Sequence, residues 1–274
     1  MSGILYLVAT PIGNLDDITL RAINVLKEVD FIAAEDTRHS LKLLNHLEIS
    51  KPLISYHRHN DEIKTEMLIE KLLDNKNIAL ITDAGTPGIS DPGEKIVKSA
   101  IENNIKIVPI PGACAFVNAL IGSGLDTTEF TFLGFLPLNK KNRKTKLEKI
   151  KNSNNTIILY EAPHKILSTL KDLEQITNGR KIVLAKELTK IHEEFIFGTA
   201  TELLGKIETP KGEFVILIEK SNELEIGNLD FLNNLSLEEH YNFYSKQGLD
   251  KNEIIKRIAR DRDVKKNEIY QKFI

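Results

Sequence analysis

A single cysteine, Cys114, occurs in 274 residues. No internal disulfide is therefore expected, and the chain suits a reducing, cytoplasmic setting. Long apolar runs are also missing: nothing approaches the roughly 18 consecutive apolar residues of a membrane helix. The N-terminus enters the apolar run Ile4–Val8 without a basic segment or cleavage site, so no signal peptide is expected. Neither the dinucleotide fingerprint G-x-G-x-x-G nor the phosphate-binding P-loop occurs, which takes weight from NAD and nucleoside triphosphate readings. Histidines 57 and 59 share one face of an extended segment, but no third ligand accompanies them, so no metal is expected. Internal repeats and low-complexity segments are absent.

What is present is the composition of a globular protein, with 41% hydrophobic and 28% charged residues and a net charge of -2. The length allows one large or two ordinary domains. Charge is unevenly spread: between Lys140 and Lys151 stand seven basic residues against one acid, Glu148.

The organising stretch is Ile81–Gly93, ITDAGTPGISDPG, which follows the apolar run Ile78–Ile81. An apolar run bounded by glycines and prolines reads as a buried strand ending in a tight loop. Loops at the carboxyl ends of parallel strands are where open α/β sheets bind ligands. The competing reading is a plain connection, with Asp91 as N-cap and Pro92 as first helical residue.

Around it, strands alternate with helices. Leu5–Ala9, Phe31–Ala34, Leu53–Ser55 and Ile105–Ile110 read as further strands. Helices are predicted over the segment carrying Ile18, Ala22, Val25 and Val29, and over Ser40–Leu47, Asp61–Leu73 and Pro92–Glu102. Such alternation argues for a mostly parallel sheet. Beyond GSGLDTT, Gly122–Thr128, the pattern changes to an α+β region with a mixed sheet. Its strands are Phe130–Phe135, Thr156–Tyr160, Lys181–Leu188, Glu193–Phe197 and Phe214–Glu219, two of them close enough for a hairpin, with a helix over Pro163–Gln175. Ser221–Asn234 reads as a linker and Ser236–Ile274 as three short helices, with Leu249 and Asp250 opening the middle one. The expected domains are 1–121, 122–222 and a helical tail, 223–274.

Several charged clusters sit at strand ends. Glu35-Asp36-Thr37-Arg38 could supply a base or a positioned ion pair, or merely cap the next helix. Glu161 could cap the helix behind it. Lys186-Glu187-Leu188-Thr189-Lys190 is equally a solvated turn. Cys114, among small residues and without a histidine partner, is expected to be a packing residue. The basic loop Lys140–Lys151 is a solvated face, or forms a phosphate-binding track with Lys256, Arg257, Arg260, Arg262, Lys265 and Lys266 of the tail, where Asp261 and Asp263 dilute the charge.

LYLVATPIGNLDDITLRA (Leu5–Ala22), AAEDTRHS (Ala33–Ser40), SYHRHN (Ser55–Asn60), ITDAGTPGISDPG and IPGACA (Ile110–Ala115) follow one another at a familiar spacing. FLGFLP (Phe132–Pro137), YEAPH (Tyr160–His164), KELTKIHEE (Lys186–Glu194) and PKGEFVILIE (Pro210–Glu219) continue the series. Across essentially its whole length the chain resembles the ribosomal RNA small subunit methyltransferase I family of the tetrapyrrole methylase superfamily. The resemblance implies two α/β domains with S-adenosylmethionine (SAM) in the cleft between them, and a homodimer. It implies methylation of the ribose 2′-hydroxyl of a decoding-centre cytidine in 16S rRNA of the small ribosomal subunit. Carried over, Pro11 and Ile12 lie along the cofactor, Thr82, Asp83, Ala84, Gly85, Thr86 and Ile89 hold its methionine and ribose portions, and Ala113, Cys114 and Ala115 pack nearby. Tyr160, Glu161, Ala162, Leu188, Gly212 and Glu213 close over the adenine. One departure is Cys114-Ala115, where related methylases often carry serines, so no hydroxyl contact is expected there.

A ribose hydroxyl is a weak nucleophile that gains from a positioned base. Candidates are Asp36, Glu35 and Glu187, with Arg38, Arg58, Lys186 and the Lys140, Lys141, Arg143 and Lys144 cluster meeting RNA phosphates. The alternatives are a methylase of a tetrapyrrole or other small acceptor, and a ribosome-binding protein that lost catalysis.

Overall fold

The computed structural model describes residues 2–273 except 59, 208, 222–231, 233–234, 247–248 and 263. Most of the expected linker, His59 and Asp263 therefore lie outside the described residues. The chain forms two compact units, Met1–Ser221 and Asn222–Ile274.

Two five-stranded sheets make up the first unit. The first has the order β3-β2-β4-β1-β5 and is parallel throughout. Its strands are β1 (Ile4–Val8), β2 (Phe31–Ala34), β3 (Leu53–Ser55), β4 (Ile78–Ile81) and β5 (Lys106–Ile110). Central β4 is buried at all four positions, as a strand covered on both faces must be. Ala79 and Ile81 pack with α1 (Leu20–Glu28) and α2 (Thr37–His46), while Ile78 and Leu80 pack with α3 (Asp61–Leu73) and α4 (Glu94–Glu102). That alternation follows from the two-residue period of a strand.

The second sheet, β6-β7-β10-β8-β9, is mixed. β6 (Phe130–Phe135) runs parallel to β7 (Thr156–Glu161); β8 (Ile182–Lys186), β9 (Glu194–Gly198) and β10 (Phe214–Ile218) pair antiparallel, with β8 and β9 as the expected hairpin. One face is covered by α6 (Lys140–Lys151), α7 (Ile166–Glu174) and α8 (Ala200–Lys206), the other by α5 (Ala115–Gly122). Because α5 leaves the first sheet and packs on the second, it brings the ends of β1, β4 and β5 to the edge of the second sheet.

Four local expectations change. Helix α2 starts at Thr37 rather than Ser40, because Asp36 caps it by accepting from the Arg38 amide. Helix α4 starts at Glu94 rather than Pro92: the Pro92 carbonyl accepts from the Gly88 amide, which keeps the proline in the loop, and Gly93, not Asp91, is the N-cap. The basic segment Lys140–Lys151 is a helix rather than a loop. Asn139 caps it by accepting from the Lys141 and Asn142 amides, and Arg143, Leu147 and Ile150 form an inward stripe at helical spacing. Helix α8 was not expected; its signature was the capping box Thr199-x-x-Glu202.

The second unit has the three expected helices, α9 (Leu237–Ser245), α10 (Lys251–Asp261) and α11 (Lys266–Tyr270), with Asp250 capping α10. Leu232, Tyr244, Ile254, Ile255, Ile258 and Ile269 form its core. Arg262, expected on a phosphate track, instead donates to His240 Nδ1 at 3.2 Å and to the Leu235 carbonyl. With Nδ1 accepting, the imidazole proton sits on Nε2 and points at Asp261, 3.2 Å away, which also accepts from the Tyr244 hydroxyl. Burial pulls the His240 pKa down, against the raising pull of the Asp261 carboxylate.

Candidate active site

Three loops leave the carboxyl ends of adjacent strands β4, β1 and β5, and they are tied to one another. Thr10 and Gly85 exchange backbone hydrogen bonds of 2.9 and 3.0 Å, while the Thr10 hydroxyl donates to the Thr82 carbonyl at 3.1 Å. The Thr86 hydroxyl donates to the Ala113 carbonyl at 3.1 Å. Gly85 has φ +84°, and a Cβ there would meet Ile12 at 3.3 Å, so a side chain is both strained and crowded.

The loops wall one side of a cavity of about 450 Å³, within the range of small-molecule sites. Of the residues expected around a cofactor, Ile12, Asp83, Ala84, Gly85, Thr86, Ile89, Cys114, Ala115, Tyr160, Glu161, Ala162, Leu188 and Glu213 line it. Pro11, Thr82, Ala113 and Gly212 are not among the lining residues. Gly212 has φ +78°, and a Cβ there would lie 2.3 Å from the Glu187 side chain.

Three expected bases separate clearly. Glu35 lines the cavity, and burial together with the Asp83 charge pushes its pKa up. Asp36 is turned away as the cap of α2; its hydrogen bonds with Arg38, whose guanidinium lies 3.0 Å away, hold its pKa down at about 2. Glu187 accepts from Lys190 at 2.9 Å and from the Glu213 amide at 3.0 Å, clamping the turn of Gly212; the Lys190 bond lowers its pKa.

Sequence reading missed Ser90, Asp91, Phe135, Pro163, Ala185, Phe214 and Val215 as lining residues. Ala185 and Val215 were findable from strand alternation, since both face the α5 side of the sheet. Asp91, an N-cap in the competing reading of this loop, faces the cavity. Burial first, then the Glu35 and Asp83 carboxylates, push its pKa up to about 6, against a lowering pull from Arg58.

Five acids, Glu35, Asp83, Asp91, Glu161 and Glu213, line the cavity, and among the described residues no lysine or arginine does. Such a wall repels phosphates and suits a cationic ligand. The Tyr160 hydroxyl accepts from the Phe116 amide at 3.2 Å, and burial pushes the phenol pKa up. Burial likewise raises the Cys114 thiol. Arg58 donates to the Ser90 carbonyl, and the His57 amide donates to Asn60 Oδ1 at 2.8 Å. Lys186 pairs with Glu194 across the hairpin at 3.5 Å. Lys140, Lys141 and Lys144 are exposed on α6, whereas Arg143 turns inward to Asp172 at 2.7 Å.

Known proteins point the same way. A family model for Tetrapyrrole (Corrin/Porphyrin) Methylases matches residues 4–204. A ribosomal RNA small subunit methyltransferase I from Halalkalibacterium halodurans is 48% identical over 98% of this chain and 93% of its own. One of the same name from Bacillus subtilis is 47% identical over 99% and 94%. Among solved structures, a diphthine synthase superposes with a TM-score of 0.64 at 15% identity, over 80% of this chain and 91% of that one. A uroporphyrin-III-C-methyltransferase from Thermus thermophilus gives 0.55 at 20% identity, over 80% and 94%; at such identities the likeness is one of fold. SAM carries a sulfonium and an ammonium, so the acidic cavity fits it. The chain is a SAM-dependent methyltransferase with the tetrapyrrole methylase fold, and it belongs to the tetrapyrrole methylase family, in the branch of ribosomal RNA small subunit methyltransferase I.

Proposed function

We propose that this enzyme methylates the ribose 2′-hydroxyl of a decoding-centre cytidine in 16S rRNA, acting in the cytoplasm as a homodimer on the small ribosomal subunit. The observation that carries the reading is near-full-length identity of 47–48% to proteins named for small-subunit rRNA methylation, joined to a cation-suited cavity. Exposed lysines on α6 supply the kind of surface an RNA phosphate chain requires. The homodimer reading is supported by α5, which leaves Val117 and Ile121 exposed to solvent.

Bound SAM supplies a methyl group on a positively charged sulfur, a leaving group that needs no further activation. The chain must then exclude water, hold the acceptor hydroxyl in line and take its proton. Asp83, Gly85, Thr86 and Glu161, which line the cavity, would hold the donor. Glu35 is our choice for the base, with Asp91 as a second carboxyl in the same cavity wall. Both carboxyls are shifted toward neutrality, where a carboxylate becomes a better acceptor. Asp36, held at about 2, and Glu187, tied to Lys190, are weaker candidates.

The deciding experiment offers labelled SAM to small ribosomal subunits and to free 16S rRNA, then identifies the product nucleoside. Label in 2′-O-methylcytidine is the expected result. Transfer to neither RNA, with SAM binding intact, would direct the reading to small acceptors; no SAM binding would direct it to a ribosome-binding protein without catalysis.

A further inference from the structure

Arg143 was expected to meet RNA, yet its side chain runs the other way. The side chain is 18% exposed, and its guanidinium donates through Nε to Asp172 at 2.7 Å and through Nη2 to the Thr169 hydroxyl at 2.9 Å. Thr169, on α7 and fully buried, passes its own hydrogen to Glu161 Oε2 at 2.6 Å. Glu161 Oε1 accepts from the Ala162 amide at 2.9 Å, and the residue, only 4% exposed, lines the cavity.

The direction of this chain is forced. Arginine can only donate, and a hydroxyl has one hydrogen, so the Thr169 proton must go to the carboxylate. The side chain is thereby held in one orientation from both its oxygens, with a cation one hydroxyl away to offset the loss of water around it. No lysine could do this: an ammonium offers one point of charge, whereas the guanidinium fork reaches Asp172 and Thr169 together.

We propose that Arg143 is a positioning residue of the methyl-donor site, acting through Thr169 to fix the Glu161 carboxylate in the cavity wall rather than binding RNA. The inference rests on the cavity being the SAM site. It divides the basic stretch by function: the exposed lysines of α6 face the RNA, and the one inward arginine serves the donor.

Calorimetric titration of SAM into the full chain tests it, alongside RNA binding measured over a range of salt. Arg143→Met should raise the SAM Kd about tenfold, the scale of a lost charged hydrogen bond, and leave RNA affinity and its salt slope unchanged. Thr169→Val, which keeps shape and charge, should act alike, and Thr169→Ser should restore binding. In a Glu161→Gln background, Arg143→Met should add less than about twofold, because the group it positions is gone. Additive effects of the two changes would overturn the relay. So would an unchanged SAM Kd with a flattened RNA salt slope, which would return Arg143 to the RNA surface. Should Arg143→Met fail to fold, the Thr169 pair decides by the same criteria. Wild-type protein that binds no SAM would instead overturn the donor-site reading itself.

Discussion

Neighbouring carboxylates in the segment Glu35-Asp36 carry opposite electrostatics, and their roles divide accordingly. Asp36 accepts from the Arg38 amide at 2.8 Å and caps α2, while Glu35 enters the cavity beside Asp83. Glu35→Gln should lower kcat by about a hundredfold or more, as loss of a general base does. Asp36→Ala should leave kcat within about threefold and lower the melting temperature slightly. Steady-state kinetics with thermal melts would separate the two; the reverse pattern would assign the base to Asp36.

Asp91 supplies the pH dependence. Its folded pKa, about 6, lies above the ordinary carboxylate value, so folding favours its protonated form. Its contribution to stability is complete below pH about 4 and is lost as pH rises through about 6. Asp91→Asn should therefore raise the melting temperature of the ligand-free protein at pH 8, and the gain should vanish below pH about 4. SAM binding runs the other way, since a cationic donor prefers the ionised carboxylate: affinity should fall as pH drops through about 6. Melting curves and titrations across pH check both signs.

Among elements, α6 shows how a run of charges conceals a face. Its sequence is dominated by lysine, and charge alone reads as a loop or a solvated surface. Leu147 and Ile150 sit at the spacing that turns them toward the core, while Lys146 donates to the Leu133 carbonyl at 2.6 Å and to that of Phe135 at 3.0 Å. Neutralising Lys140, Lys141 and Lys144 to glutamine should weaken RNA binding and flatten its log–log salt dependence by about 2, the amount three lost phosphate contacts imply. SAM affinity should not change. An unaltered salt slope would leave these lysines as solvated charge.

At the scale of the whole molecule, every residue lining the cavity belongs to the unit Met1–Ser221, which has its own core on both faces of both sheets. A chain ending at Ser221 should bind SAM within about twofold of the full chain by calorimetry. A larger loss would make the tail part of the donor site. The alternation of strands and helices, the opening of α10 at Asp250, and the glycine-rich loops after the first, fourth and fifth strands were legible in the sequence, while the local signals of the caps at Thr19 and Thr199 went unread. Each depends on residues a few positions apart, where the period of the strand or helix and the geometry of a cap act directly. The tertiary structure alone decided that Asp91 faces the cavity and not a helix end. It also decided that the Glu35 carboxyl enters the cavity while Asp36 meets Asp83 only through its backbone amide, at 3.1 Å, and that Arg143 turns inward to Thr169 while the exposed lysines beside it stay outside. In these cases the deciding partners lie tens of residues away, and burial and charge act through space, where spacing along the chain carries no record of them.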